Sequence, residues 1–284
     1  MAIKKDASLW AWGANADGVI GNNTTNTVFE PEQIMSNVIA VSISDSYSMA
    51  IRNDNSLWLW GNNQRGLFNE QNSGILKKPT KIMDDITGIA TGNSHVMAIK
   101  KDNTLWTWGF NANGQLGNGN KDINTSPTEI MKNVKSIAAG DNHSMAIKQD
   151  GSLWVWGSNS SGQLGNGTTD DVIQPQKIMD GVKHISAGSY FSLVIKEDDS
   201  LWAWGNNIFG ECGNGSNEKN VTTPQKIMDN VNFASAGVNF ALAVTNSGEL
   251  WAWGDNRSGQ YGTGDNISSN IPIKVLENVL CKQY

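Results

Sequence analysis

"DGSLWVWGSNSSGQLGNGT", residues 150–168, sets two tryptophans within three residues directly ahead of a run of glycine, asparagine and serine. The stretch recurs, and recurrence has to be read before any local pattern because it decides the architecture. Leu-Trp-x-Trp-Gly begins at Leu9, Leu57, Leu105, Leu153, Leu201 and Leu250, at spacings of 48, 48, 48, 48 and 49. The six copies hold all 12 tryptophans: Trp10, Trp12, Trp58, Trp60, Trp106, Trp108, Trp154, Trp156, Trp202, Trp204, Trp251 and Trp253. Pro31, Pro79, Pro127, Pro175, Pro224 and Pro272, the only six, stand 22 residues beyond each motif leucine, or 23 in the fifth copy. The inserted residue therefore lies between Leu201 and Pro224, in "GNGSNEKNVTT".

Within one period, "SMAIKQ" (144–149) reads as a short strand and "DGS" as a turn. "LWVWG" reads as a strand with Trp154 and Trp156 on one side and Leu153 and Val155 on the other. A long Gly/Asn loop then runs to Pro175, "QKIM" reads as a third strand, "DG" as a tight turn and "VKHISAG" as a fourth strand. Short strands at this density, with no helical spacing, indicate an all-β protein. Four strands repeated six times predict a β-propeller of six four-stranded blades forming a single domain, residues 1–284.

The ends support a ring. Met1 has the phase of Met49, Met97, Met145, Leu193 and Leu242, and Tyr284 that of Ala236. Six periods with one insertion make 289 residues against 284 present, and the missing five match the turn "GDNHS" (140–144). The expectation is six whole periods opened at one turn, and a monomer in solution.

All 12 tryptophans are expected in the core, as aromatic packing between sheets, with the loop glycines letting the chain leave that layer sharply. Gly18, Gly66, Gly114, Gly162, Gly210 and Gly259, nine beyond the motif leucine, are expected at positive φ or at close backbone approach. Asn15, Asn63, Asn111, Asn159, Asn207 and Asn256 are expected to bond their own loop backbone.

Composition narrows function. Charged residues are 17% of the chain and the formal net charge is −6, against the basic patch of a nucleic-acid binder. No apolar run approaches the roughly 20 residues of a membrane span, and "MAIKKDASLWAWG" has no apolar signal core. These features predict no nucleic acid and no membrane as partners, and either a cytoplasmic protein or a domain excised from a longer one. Cys212 and Cys281 are the only cysteines, too few for a zinc cage, and are read as reduced small apolar residues. With three histidines and no nucleophile motif, no convergent acid–base set is visible. "NGTTDD" and "GDNISSN" lack calcium-loop spacing, and "GNGN" lacks the lysine of a phosphate loop. The expectation is no enzyme, no cofactor and no metal.

The repeat "HSMAIKQDGSLWVWGSNSSGQLGNGT…PQKIMDGVKHISAG" resembles that of the regulator of chromosome condensation family of β-propellers, over essentially the whole chain. The tryptophan-rich "SLWAWG" form is similar to repeats common in bacterial members. Family members usually have seven blades, so six copies depart from the pattern. The resemblance implies protein–protein binding through propeller loops: the founder is a guanine nucleotide exchange factor for the small GTPase Ran, some bacterial members are secreted β-lactamase inhibitors, and some pathogen effectors act on host GTPases. Exchange in the founder relies on a β-wedge inserted into one blade, and an even period leaves no room for one. The readings carried forward are an inhibitor- or adhesion-like protein-binding scaffold, an exchange factor for a Ran-like GTPase, and a structural or engineered repeat array with no partner of its own.

Strand order puts the long loops and the "GxxHS" turns on one face, opposite the short turns after "AIKQ" and "KIMD". That first face carries most variation among repeats and is the expected binding face. In propellers the first strand is innermost, which would set the "GxxHS" turns around the central channel. The turns offer Tyr47, His95, His143, Phe191 and Phe240 at one phase, with Asp45, Asn93, Asp141, Tyr190 and Asn239 beside them. Two readings stand: contact residues, as the family's matching turns imply, or histidines bonded to turn backbone and aromatic packing substitutions. In the long loops the candidates are Arg65, Phe68, Phe110, Ile208, Phe209 and Arg257, since apolar residues on exposed tips point to contact.

Overall fold

The computed structural model describes residues 1–63, 66–67 and 74–280. The protein is all-β, built of six antiparallel sheets that are the blades of a β-propeller. The first comprises β1 (Ala2–Ile3), β2 (Leu9–Gly13) and β3 (Val28–Met35); the second β4 (Val38–Ile43), β5 (Tyr47–Arg52), β6 (Leu57–Asn62) and β7 (Ile75–Met83). The third comprises β8 (Ile86–Thr91), β9 (His95–Lys100), β10 (Leu105–Gly109) and β11 (Asn124–Met131); the fourth β12 (Val134–Ala139), β13 (His143–Lys148), β14 (Leu153–Gly157) and β15 (Val172–Met179). The fifth comprises β16 (Val182–Ala187), β17 (Phe191–Lys196), β18 (Leu201–Asn206) and β19 (Asn220–Met228); the sixth β20 (Val231–Ala236), β21 (Phe240–Thr245), β22 (Leu250–Gly254) and β23 (Ser269–Leu276). The first sheet has three strands, rather than the expected four, among the described residues. No helix among them is long and apolar enough to cross a membrane.

Packing divides the chain into two compact units: Met1–Ala112 with Asn120–Ile137, and Asn113–Gly119 with Ala138–Tyr284. In the first, a core forms around Met49, Leu59, Val96 and Trp108; in the second, around Val155, Leu193, Trp204 and Trp253.

The sheet boundary falls one strand earlier than the order in which the period was read. "VKHISA" (β16) begins the fifth sheet and pairs with β17; it does not close the fourth. These first strands are the inner ones, because neighbouring sheets meet along them. In the first unit Ser42 Oγ and Thr91 Oγ1 lie 2.9 Å apart. In the second, the Ala236 amide donates to Ser186 Oγ at 2.9 Å, and His184 Nε2 donates to the Ala234 carbonyl at 2.8 Å.

The outer strand is longer than "QKIM" and holds its proline internally. β15 starts at Val172, and its pairing with β14 slips around Pro175, with Val155 opposite Gln176 and Gly157 opposite Val172. A residue without an N–H is tolerated there because this is an edge strand at an irregularity.

The two tryptophans of each motif do different work. Trp60, Trp108, Trp156, Trp204 and Trp253 are fully buried, each stabilising by an upper bound of about 4–6 kcal/mol from an area of ~150–250 Å². Each donates its Nε1–H to a carbonyl in the preceding repeat's long loop: Val19, Leu67, Gln115, Gln163 and Glu211 in turn, at 2.7–2.9 Å. The loop does not leave the packed layer; it lies on it. Gly165 (φ +69) shows why glycine recurs there, since a β-carbon would fall 2.7 Å from Trp204 Nε1. The nine-beyond glycines all take positive φ, from +71 to +83. Asn159 Oδ1 accepts the Leu164 amide, and its Nδ2 donates to the Thr168 carbonyl. The other half of each pair, Trp10, Trp58, Trp106, Trp154, Trp202 and Trp251, is only partly buried. Trp12 is a correction to the all-core expectation, being 44% exposed.

Candidate protein-binding face

Each sheet has two ends, and they differ. The end carrying the short turns is nearly uniform. In the fourth repeat the Asp150 carboxylate accepts the Ser152 hydroxyl at 2.6 Å, Ser152 Oγ accepts Trp154 Nε1–H at 2.9 Å, and the Lys148 ammonium sits 4.4 Å over the indole. The Ser152 hydroxyl and amide hold the Asp150 carboxyl below its usual range. The same chain recurs from Asp6, Asp54, Asp102 and Asp198. In the sixth repeat Thr245, Ser247 and Glu249 replace it, and Trp251 Nε1 is buried without a hydrogen-bond partner.

The opposite end carries the turns between first and second strands together with the long loops. The two are bonded: the Ser158 amide donates to the Asn142 carbonyl, Asn206 to Tyr190 and Asp255 to Asn239.

At this end of the first unit, Asp45 and Asn93 are exposed on turn tips. Tyr47 and His95, predicted as contact residues, are fully buried. The Tyr47 hydroxyl donates to the His95 carbonyl at 2.6 Å, and burial pushes its pKa well up. Phe110 is half-buried, while Arg65 and Phe68 lie outside the described residues.

In the second unit His143 and Phe191 are also fully buried. Glycine at the turn allows this: a β-carbon at Gly140 would fall 2.2 Å from His143 Cε1, and one at Gly188 2.1 Å from Phe191 Cε1. The rings fold under the turn and leave the surface to their neighbours. His143 Nε2 lies 3.1 Å from Ser192 Oγ, whose own hydrogen goes to the Gln163 carbonyl. Nε2 is therefore the protonated nitrogen, and Nδ1 is a buried acceptor with no partner. Desolvation lowers the His143 pKa to about 4. Of the five ring positions only Phe240 is partly open.

The exposed part of this unit is assembled from other residues. The turns run side by side, the Asp141 amide donating to the Ser189 carbonyl at 3.2 Å. Tyr190 is 40% exposed, and partial burial, with the negative charge of Asp141 nearby, raises its pKa. Val238 is 64% exposed; the sequence reading missed it, although an apolar residue where other copies have Asp, Asn or Ser was a usable signal. Asn239 is partly buried.

Farther out, Ile208 is 60% exposed, and the Arg257 guanidinium sits 4.3 Å from the Phe209 ring centre. Arg257 also grips Asp255 with two bonds of 2.9 Å, holding that carboxyl below its usual range. Beneath them Glu211 is fully buried, its oxygens accepting Asn206 Nδ2 and the Phe209 amide at 2.8 Å, and burial raises its pKa. A cleft of about 690 Å³ opens beside this group, lined by Ile208, Phe209, Asn217, Lys219, Asn270 and Ile271 among others. Cys212 is buried and unpaired, with its pKa raised by desolvation; Cys281 lies outside the described residues. Among the described residues no group of three or more His, Cys, Asp or Glu side chains is placed to hold a metal ion.

Solved structures share this fold. Human WBSCR16 is 23% identical with a TM-score of 0.86, the match covering 97% of this chain and 78% of that one. Prp20p of Saccharomyces cerevisiae is likewise 23% identical with a TM-score of 0.86, covering 98% and 74%. No curated protein sequence matches the chain. The RCC1-like domain model matches residues 1–283, in agreement with the six-fold repeat and its sheets, and the chain belongs to the RCC1-like domain family.

Proposed function

We propose that this is a protein-binding scaffold that acts by contact, without chemistry of its own, through the end formed by the long loops and the first-to-second-strand turns. The observation that carries the reading is the contrast between ends of the second unit. One end repeats the same Asp–Ser–Trp–Lys chain in the fourth and fifth repeats; the other carries Tyr190, Val238 and Ile208, all substantially exposed, together with the Phe209–Arg257 pair. Exposed apolar and aromatic side chains rimmed by polar loops have the composition of interface cores. Prp20p, the yeast RCC1, similar in fold, is described as binding Gsp1p and histones and as bound to Kap60, which supports a binding role for this fold. The buried positions of His143 and Phe191 remove them from the contact set and leave Tyr190, Asp141, Val238, Asn239, Phe240, Ile208, Phe209 and Arg257 in it. Photo-cross-linking tests the choice of face. A benzophenone amino acid at position 190 is expected to capture a defined partner that the same group at Glu197, on the opposite end, does not. Equal capture at both, or capture at 197 alone, refutes it. The exchange-factor reading predicts accelerated mant-GDP release from a Ran-like GTPase; the scaffold reading predicts none.

A further inference from the structure

Neighbouring repeats are joined in one way throughout the chain. A motif indole faces back over the preceding repeat's long loop and donates to its carbonyl, as Trp204 does to Gln163 at 2.9 Å and Trp253 to Glu211 at 2.8 Å. The loop makes room with a glycine: a β-carbon at Gly165 or Gly213 would fall 2.7 Å from the Nε1 it receives. In the opposite sense, the ring and aliphatic residues of the second and third strands face forward onto the next repeat, as the Tyr47 hydroxyl does in reaching the His95 carbonyl.

The sixth sheet has its forward face open. Phe240, Leu242 and Leu250, on β21 and β22, are partly exposed, whereas Phe191, Leu193 and Leu201 at the same places in the fifth sheet are fully buried. Gly259 and Gly262 are exposed where Gly210 and Gly213 are buried, and a β-carbon at Gly262 would meet nothing within 4 Å. A hollow of about 370 Å³, lined by Val244, Gly248 and Val279 among others, lies at the other end of this sheet. The first sheet has its backward face open: Trp12 on β2 is 44% exposed, and Ala2 on β1 is exposed where Ala50, Ala98 and Ala146 are fully buried. Outward faces of a repeat array that meet water are capped with polar residues. Here the first repeat keeps its tryptophan pair and the sixth its apolar row.

The two faces complement each other, because Gly262 leaves the room an indole such as Trp12 fills, and Gln260 stands at the place of Glu211. We propose that the forward face of the sixth sheet receives the backward face of the first sheet of a second copy of this chain, with Trp12 donating to the Gln260 carbonyl across the junction. Such a contact is heterologous, so copies join head to tail, into a closed dimer or a longer array according to whether the rotation closes. The proposal goes beyond the protein-binding reading and does not rest on it.

Sedimentation velocity on the full chain tests it. The average mass is expected to rise above that of one chain between about 1 and 200 µM. Trp12→Arg and Leu242→Glu are each expected to weaken association at least about tenfold, the scale of a lost tryptophan anchor or of a charge left unpaired in an apolar contact. Each variant keeps the face that the other lacks, so an equimolar mixture is expected to form a dimer that neither forms alone, which also shows that both fold. Trp12→Phe, which keeps an apolar ring in the first sheet, should weaken association severalfold and serves if arginine unfolds that sheet. A wild-type chain that stays monomeric, as the spacing of the repeats leads one to expect, overturns the proposal. So does self-association that survives Trp12→Arg, which would mean sixth-sheet faces paired with each other, and so does a mixture of folded variants that stays monomeric.

Discussion

Replacing His143 with phenylalanine isolates one buried ionisable group. His143 is fully buried with its pKa lowered to about 4, whereas a histidine in the unfolded chain titrates near 6.5. Between those values the unfolded chain binds a proton that the native state refuses, so stability falls as pH falls from about 6.5 to about 4 and is flat in this term on either side. At about 1.4 kcal/mol per unit the full loss is about 3 kcal/mol, most of it present by roughly pH 4.5. Phenylalanine is the natural replacement, because Phe191 occupies the equivalent place beneath Gly188. Ser192 keeps its bond to the Gln163 carbonyl when the imidazole is gone, and the change removes the unpartnered Nδ1. At pH 7.5 the variant is expected within about 1 kcal/mol of the wild type. Urea unfolding followed by tryptophan fluorescence at pH 7.5, 6, 5 and 4.5 gives both curves. His184, also lowered by burial, and the capped aspartates are common to both proteins and cancel in the difference. The expected outcome is a relative gain for the variant of about 2–3 kcal/mol between pH 7.5 and 4.5. Parallel curves would refute a neutral buried imidazole at this position.

Two further substitutions test local rules that the repeats themselves expose. Ala7 has φ +62 at a turn position where the other copies place Asn, Asp or Gly; Ala7→Gly is expected to stabilise by about 0.5–1 kcal/mol by relieving left-handed strain, less the entropy of glycine, as measured by the midpoint of urea unfolding. Restoring the repeat's chain in the sixth copy with Ser247→Asp and Glu249→Ser gives Trp251 Nε1 an acceptor, and is expected to raise stability by about 1 kcal/mol even though the exposed Lys274–Glu249 pair is lost; unchanged stability would mean the buried N–H was not costly.

The architecture was legible because it rests on spacing. A fixed period with one Trp pair and one proline per copy permits few folds, and turn residues between short alternating runs mark the strands. What spacing does not carry is phase: a periodic sequence has no mark of where one sheet ends, so "VKHISAG" reads as a last strand although it pairs forward with β17. Alternation also names a side of a strand without naming its neighbour. Trp154 and Trp156 share a side, yet one is a half-covered platform for Lys148 and the other a fully buried wedge.

The turn residues failed for a related reason. Whether a ring at the fourth position of "GDNH" points out or folds under depends on the absent side chain at Gly140. The chain did hold a clue. One residue past the position of His143 in the next copy stands Ser192, to which it bonds, whereas at the same offset from Phe191 stands Ala241, and a residue whose identity is matched by its neighbour in the next copy is packing against it.

That matching also separates constrained loop positions from free ones. The middle of each long loop lies on the next repeat's indole, with a carbonyl taken by Trp156, Trp204 or Trp253 and, for the first two, by Ser144 or Ser192 as well. No such duty falls seven residues beyond the motif leucine, where Ala16, Ala112, Ser160, Ile208 and Arg257 are all exposed. Small residues hold that position in the first, third and fourth copies, so packing demands nothing larger there. Ile208 brings apolar bulk to a place where packing demands none, whereas Arg257 is held by Asp255 and Phe209; a large apolar side chain kept in water contributes only when something else covers it. Tyr190 and Val238 make the same case on the neighbouring turns, where Ser189 and Asn239 show that polar residues fit. The fold accounts for the regular part of each repeat, and the irregular tips of the second unit are the part that the proposed binding role would use.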